Sequence, residues 1–159
     1  MLKLIGSALV FLCATYMGMS KYQEMYKRKR VLSGIRDGGI KIRDNLRCMC
    51  MPLYESFLSS GEFFEDAASN IQSGLLPMEA VKEACRTNRF LSQRDRECIH
   101  RFAEGLVAGD CKGQLANVEM FISEMDRCVD HSEKELGTKG TLFIKGSILA
   151  AAAVVLMML

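Results

Sequence analysis

Both ends of this chain are apolar, and that restricts its fold more than anything between them. Leu4 to Met19 runs for sixteen residues without a charge. With Leu2 and a Lys3 whose amine can reach back to the headgroups, the stretch approaches the roughly 20 residues that cross a bilayer. Thr141 to Leu159 supplies nineteen more residues with a single charge, Lys145, near its start. Residues 3–19 and 141–159 therefore read as transmembrane helices, and Ala150 to Ala153 offers a smooth face for close helix packing. A cleavable signal peptide needs small residues before a cut site and no dense positive charge after it. Neither condition is met, and Leu12 before Cys13 does not suit a lipoprotein signal.

Positive charge sets the expected orientation. Lys21, Lys27, Arg28, Lys29 and Arg30 follow the first span, while Lys139 and Lys145 border the second. Basic residues beside spans stay on the cytoplasmic side, so residues 20–140 are expected as a cytoplasmic domain held by a two-span hairpin. Seven cysteines without framework spacing fit a reducing compartment. The net charge of +2 hides an uneven distribution. From Lys21 to Arg47 there are nine basic and three acidic residues, and from Cys48 to Lys139 ten basic and sixteen acidic. This basic collar over 21–47 suits orientation and anionic lipid, with a protein partner as the second reading. Too few aromatic residues are interleaved with it to stack bases, so no nucleic acid is expected as a partner.

The middle has helical periodicity throughout, and no run of alternating β-branched residues marks a strand. Cys111, Leu115, Val118, Ile122, Met125 and Val129 alternate spacings of four and three, the seam of a helix packed on another helix. Asp110 is placed as its N-cap, and Gly137, in the run from Gly137 to Thr141, as its stop. Ser92 with Asp95 gives a capping-box start to a helix reaching about Ala108, striped by Ile99, Phe102, Ala103 and Leu106. Pro52 and Pro77 stand just before helix-forming runs, where a missing amide hydrogen does no harm. A further seam, Tyr22, Met25, Leu32, Ile35, Ile42 and Leu46, carries the first span onward as a long helix. Gly34, Gly38 and Gly39 each cost about 1 kcal/mol there relative to alanine, so a kink or break near Asp37 is expected. The expected class is all-α: an antiparallel helical bundle between two transmembrane helices.

Catalytic chemistry finds little purchase. His100 and His131 are the only histidines, and neither has the company of a triad. The glycine-flanked Lys139 lacks the order of a phosphate-binding loop. Glu62, Glu65 and Asp66 read as a solvated face or, with Glu55, Arg28 and Arg30, as partner-contact residues rather than acid-base pairs. Cys48 with Cys50, Cys98 with His100, and Cys128 with His131 are local pairs of potential metal ligands, and the last is spaced to share a helix face, but none has a recognised zinc spacing. No catalytic, cofactor or metal site is assigned. A lipid- or metal-responsive membrane-anchored sensor is the alternative to a scaffold.

The order of these parts resembles stage III sporulation protein AB nearly end to end. Lys3-Leu4-Ile5-Gly6 is similar to that family's opening, followed by Gly18 and the basic stretch through Arg30. Pro52-Leu53-Tyr54-Glu55 resembles its Pro-Leu-x-Glu element. Phe102, Leu106, Asp110 and Gln114 repeat a Phe…Leu…Asp…Gln spacing, and Leu136-Gly137 with Gly140 resembles the entry to the last span. Ala103 and Val107 stand where the pattern usually has glycine, and Gly39 where it has a large apolar residue. The resemblance implies a cytoplasmic bundle similar to the membrane platform proteins of type II secretion and type IV pilus machines. It implies a non-enzymatic scaffold in the mother-cell membrane facing the forespore, part of the channel between the two cells. The partners implied are a cytoplasmic secretion-type ATPase and other sporulation channel proteins, with a homo-oligomer left open.

Overall fold

The computed structural model describes residues 2–49, 51–106 and 111–158, and their side chains between 12 and 153 apart from 14, 49, 111, 144 and 151. Every element among them is helical: α1 (Leu2–Met49), α2 (Leu53–Leu58), α3 (Glu62–Gln72), α4 (Pro77–Thr87), α5 (Gln93–Gly105), α6 (Cys111–Glu135) and α7 (Thr141–Met158). The chain forms two compact units, Met1–Lys29 with His131–Leu159, and Arg30–Asp130.

The unit Arg30–Asp130 holds the core. The expected seams are its walls: Leu32, Ile35, Ile42 and Leu46 of α1 are buried, as are Val118, Ile122, Met125 and Val129 of α6. Between them lies an aromatic cluster centred on Phe64 of α3, fully buried, whose ring lies 5.3 Å from Phe57, 5.2 Å from Phe63, 6.3 Å from Phe102 and 6.4 Å from Phe121. Phe102 and Phe121 stack at 4.2 Å, joining α5 to α6. The contacts of Phe64 with Phe63, Phe102 and Phe121 are edge-to-face, the arrangement aromatic quadrupoles favour.

The break expected in α1 does not occur, and the glycines explain why. A Cβ on Gly38 would collide with the Ser60 carbonyl and lie 2.6 Å from Phe64 Cδ2. On Gly39 it would press on Ile122 and Phe121 at 3.3–3.4 Å. Two of the three glycines are therefore gaps into which α3 and α6 pack. Their helix cost of about 1 kcal/mol each is offset by burial of rings worth about 1.5–3 kcal/mol apiece. Gly34 has nothing within 4 Å of its missing Cβ.

Local signals fix most helix ends. Pro52 is the N-cap of α2, and Pro77 opens α4. The capping box at Ser92 forms as expected: Asp95 N donates to Ser92 Oγ at 3.3 Å, and Ser92 N donates to Asp95 Oδ2 at 2.9 Å. Gly61 (φ 97°) and Gly74 (φ 101°) hold left-handed backbone at the two ends of α3, where a side chain would be strained. Arg96 closes the α4–α5 connection by donating to the carbonyls of Cys85 and Asn88, both at 2.7 Å. These are acceptors that a helix end leaves unsatisfied. The proposed N-cap Asp110 falls outside the described residues, and α5, expected to reach about Ala108, ends at Gly105 with Leu106 as its C-cap.

The expected stop at Gly137 is also corrected. Gly137 is not at positive φ, and Leu136–Gly140 forms a π-helical turn that leads from α6 into α7. Thr138 Oγ1 donates to the Lys134 carbonyl at 2.7 Å and Thr141 Oγ1 to the Gly137 carbonyl at 2.9 Å. Side-chain bonds of this kind occupy carbonyls where a π-turn disturbs the regular ladder.

The two exposed-to-buried extremes among the α1 glycines make a paired test. Gly38→Ala should destabilise the full chain by about 1–3 kcal/mol through overpacking, whereas Gly34→Ala should stabilise it by up to about 1 kcal/mol. Chemical denaturation of both variants checks this; equal effects would place Gly38 away from Phe64.

Candidate functional site

The residues singled out in the sequence fall into three places. The first is the unit Met1–Lys29 with His131–Leu159, where α1 and α7 run antiparallel and meet at small residues. A Cβ on Gly18 would collide with the Ser147 hydroxyl, and one on Gly140 would lie 3.0 Å from Tyr22 Cδ2. Around this contact Leu12, Tyr16, Met17, Met19, Leu142, Phe143, Ile148 and Leu149 are all exposed. Among the described residues no helix is long and apolar enough to cross a membrane. The side chains of residues 1–11 and 154–159, on which much of both expected spans falls, lie outside the described set.

The second place is the collar. Arg28 donates to Glu135 at 2.8 Å with both side chains about four-fifths buried, and Lys29 donates to Glu133 at 2.7 Å. Glu135 also accepts from Lys139 at 2.7 Å and has His131 Nδ1 at 3.6 Å. Lys21 is bonded to Glu24. Lys27, Arg30 and Lys145 are exposed. Within the other unit the same helix pair continues the pattern, with Arg36 3.7 Å from Asp126 and Arg47 2.7 Å from Glu119. Arg28, Lys29, Arg36 and Arg47 of α1 thus meet carboxylates of α6, while Lys21, Arg36 and Arg43 bond Glu24, Asp37 and Asp44 of α1 itself. The surplus on one segment and the deficit on another are legible in the sequence but their pairing is not, although opposite charge on two helices with complementary seams is the signal for it.

The bonds from Lys139 and Arg28 hold the Glu135 carboxyl below its ordinary value, and the bond from Lys29 does the same for Glu133. A lowered carboxyl contributes stability above the ordinary carboxylate range and loses it as pH falls below that range.

The third place is the outer side of α2 and α3. Glu55, Glu62, Glu65 and Asp66 are all exposed, and among the described residues none of the four is ion-paired. Leu58, between them in the chain, is 47% exposed. The inner sides of α2 and α3 carry Phe57, Phe63, Phe64, Ala67 and Ala68 into the core, which fixes these carboxylates outward. Elsewhere the sequence pattern sorts cleanly. Pro52 caps α2, and Leu53 packs against the core. Phe102 is buried in the aromatic cluster, Leu106 is buried at the end of α5, and Gln114 is half-buried on α6.

The candidate metal pairs come apart. Cys98 is buried while His100 is exposed, and Cys128 is buried while His131 is exposed, so in neither pair do both side chains lie in the buried seam. The turn between positions 128 and 131 is enough to carry the histidine out of the seam that holds the thiol. Cys48 is exposed, and Cys50 lies outside the described residues. Among the described residues no three His, Cys, Asp or Glu side chains gather as a metal site.

The family model for stage III sporulation protein AB (spore_III_AB) matches residues 3–159. No curated protein and no solved structure matches the chain.

Glu135→Gln should cost about 1–2 kcal/mol at pH 7, the scale of a partly buried charged hydrogen bond. The difference from the parent should shrink as pH falls below about 4, where the parent carboxyl also protonates. Denaturation curves between pH 3 and 7 check this; a pH-independent difference would mean that the charge is not the cause.

Proposed function

We propose a function from one premise: the chain belongs to the stage III sporulation protein AB family. That membership places it in sporulation. Our reading is a non-enzymatic membrane platform of the channel between mother cell and forespore, anchored in the mother-cell membrane by residues 3–19 and 141–159, with residues 20–140 in the cytoplasm.

The antiparallel packing of α1 on α7 at Gly18, and of the π-turn's Gly140 on Tyr22, supports the hairpin, because small residues allow the close backbone approach that associates helices in lipid. The ring of large apolar side chains exposed around that pair supports a membrane environment, since water disfavours so extensive an apolar surface. The positive flanks support the cytoplasmic side. In this reading the collar has a double task. It orients the spans, and its Arg28 and Lys29 tie α1 to Glu135 and Glu133 at the membrane face.

The observation that carries the platform role is the set of carboxylates left outward on α2 and α3. A domain that pairs Arg28, Lys29, Arg36 and Arg47 with acids of α6 leaves Glu55, Glu62, Glu65 and Asp66 exposed beside Leu58. Such a surface, acidic with an apolar point, fits a partner face of opposite charge. The family resemblance makes that partner a cytoplasmic secretion-type ATPase, coupled through this platform to a membrane ring of other sporulation channel proteins. Arg28, occupied by Glu135, serves the platform internally, and Arg30 is the collar residue left as a candidate contact.

The test is association of the detergent-solubilised full chain with the secretion-type ATPase of the same cells. Neutralising Glu55, Glu62, Glu65 and Asp66 together to glutamine should slow association about tenfold or more and flatten its salt dependence, because complementary charge acts mainly on encounter. Arg30→Gln should change the rate less than twofold. Unchanged association of the fourfold variant would remove α2–α3 as the contact, and failure of the parent chain to bind would overturn the platform reading itself.

A further inference from the structure

Cys98 of α5 and Cys128 of α6 face each other inside the unit Arg30–Asp130. Their sulfurs are 3.7 Å apart, both residues are more than nine-tenths buried, and thirty residues separate them in sequence. Neither thiol has a place in the proposed platform function. A disulfide needs its sulfurs about 2.05 Å apart, so about 1.7 Å of further approach is required, within reach of a change in side-chain torsion.

The surroundings choose between the two things that paired thiols do. A metal would require more ligands, and the nearest charged groups are unsuited to supply them. Arg101 Nη2 donates to Cys98 Sγ at 3.5 Å and is ion-paired with Glu124 at 3.1 Å, while Asp95 is held in the capping box with Ser92. A cation at the sulfurs would meet the guanidinium. Joining of the sulfurs to each other meets no such obstacle.

We propose that Cys98 and Cys128 are a modification site, a dithiol that a peroxide oxidises to an intramolecular disulfide tying α5 to α6. Cys98, beside the exposed Arg101, reacts first. Its sulfur loses the thiol proton and attacks one peroxide oxygen, the O–O bond breaks, and Cys98 becomes a sulfenic acid while one water leaves. The Cys128 sulfur then attacks the Cys98 sulfur, the S–O bond breaks, and the departing hydroxide takes the Cys128 proton as a second water. Two thiols lose two electrons and one hydrogen peroxide becomes two waters. Burial, reinforced by the neighbouring Cys98, pushes the Cys128 thiol up to about 12. A raised thiol value favours the protonated form, so the pair rests as a dithiol until a peroxide reaches it.

The consequence is mechanical. Phe102 on α5 and Phe121 on α6 already stack at 4.2 Å, and a covalent bond between the same two helices closes a loop of about thirty residues that contains both rings. Cross-links of this span stabilise by restricting the unfolded chain.

The experiment uses the full chain in detergent with Cys13→Ser and Cys48→Ser, so that the exposed described thiols do not cross-link molecules. After reduction and removal of reductant it is treated with hydrogen peroxide, alkylated, and digested without reductant for mass spectrometry. The expected product is a Cys98–Cys128 cross-linked peptide, reversed by dithiothreitol. The oxidised protein should melt about 5 °C or more above the reduced one. In a Cys128→Ser variant, dimedone should trap a sulfenic acid at Cys98. If both sulfurs are recovered alkylated, or Cys98 proceeds to sulfinic acid with Cys128 free, the proposal is overturned. Because the same protein is compared in two redox states, the cross-link result does not depend on the Cys128→Ser variant folding. It also stands or falls separately from ATPase binding.

Discussion

The packing of Phe64 into the gap left by Gly38 is the contact on which the rest of the folded unit depends. It sets the distance between α1 and α3, and the Phe64 ring in turn reaches Phe57, Phe102 and Phe121 on three other helices. A side chain on Gly38 would push this hub away from α1 and loosen α2, α5 and α6 together. The same contact turns the outer residues of α2 and α3 away from the core, so the exposure of Glu55, Glu62, Glu65 and Asp66 follows from where Phe64 must go.

Charge follows packing here. Once the apolar seams of α1 and α6 meet, Arg36 and Arg47 stand opposite Asp126 and Glu119, and in the neighbouring unit Arg28 and Lys29 stand opposite Glu135 and Glu133. Exposed pairs of this kind add little stability each. The largely buried Arg28–Glu135 pair adds more because fewer waters screen it. The larger effect is on what is left over. Pairing with α6 occupies Arg28, Lys29, Arg36 and Arg47 and leaves Glu55, Glu62, Glu65 and Asp66 outward, which is why the proposed partner surface is placed on α2–α3.

The seams at Leu32–Leu46 and Val118–Val129, the prolines and the capping box were legible because each depends on residues within a few positions of one another. What depended on distant residues was not. The glycines of α1 look like weak points in isolation, and only the arrival of Phe64 and Phe121 makes Gly38 and Gly39 necessary. Gly137 has the composition of a helix stop, yet a π-turn carries the chain on, with threonine hydroxyls bonding its carbonyls. Arg96 as the clasp of α4, and Cys98 beside Cys128, join residues eleven and thirty positions apart. The candidate contact residues were legible as exposed charge, but the sequence could not separate the carboxylates that α1 occupies from those it leaves outward.

The central proposal is a cytoplasmic domain anchored by two membrane spans, and the exposed Cys48 on α1 offers a direct measurement of it. With Cys13, Cys50 and Cys111 replaced by serine, Cys85, Cys98 and Cys128 are buried and Cys48 is the reactive thiol. A membrane-impermeant maleimide applied to intact sporulating cells should leave Cys48 unlabelled until the membrane is permeabilised, and then label it fully. Labelling of Cys48 in intact cells would put the domain on the opposite side and contradict the account.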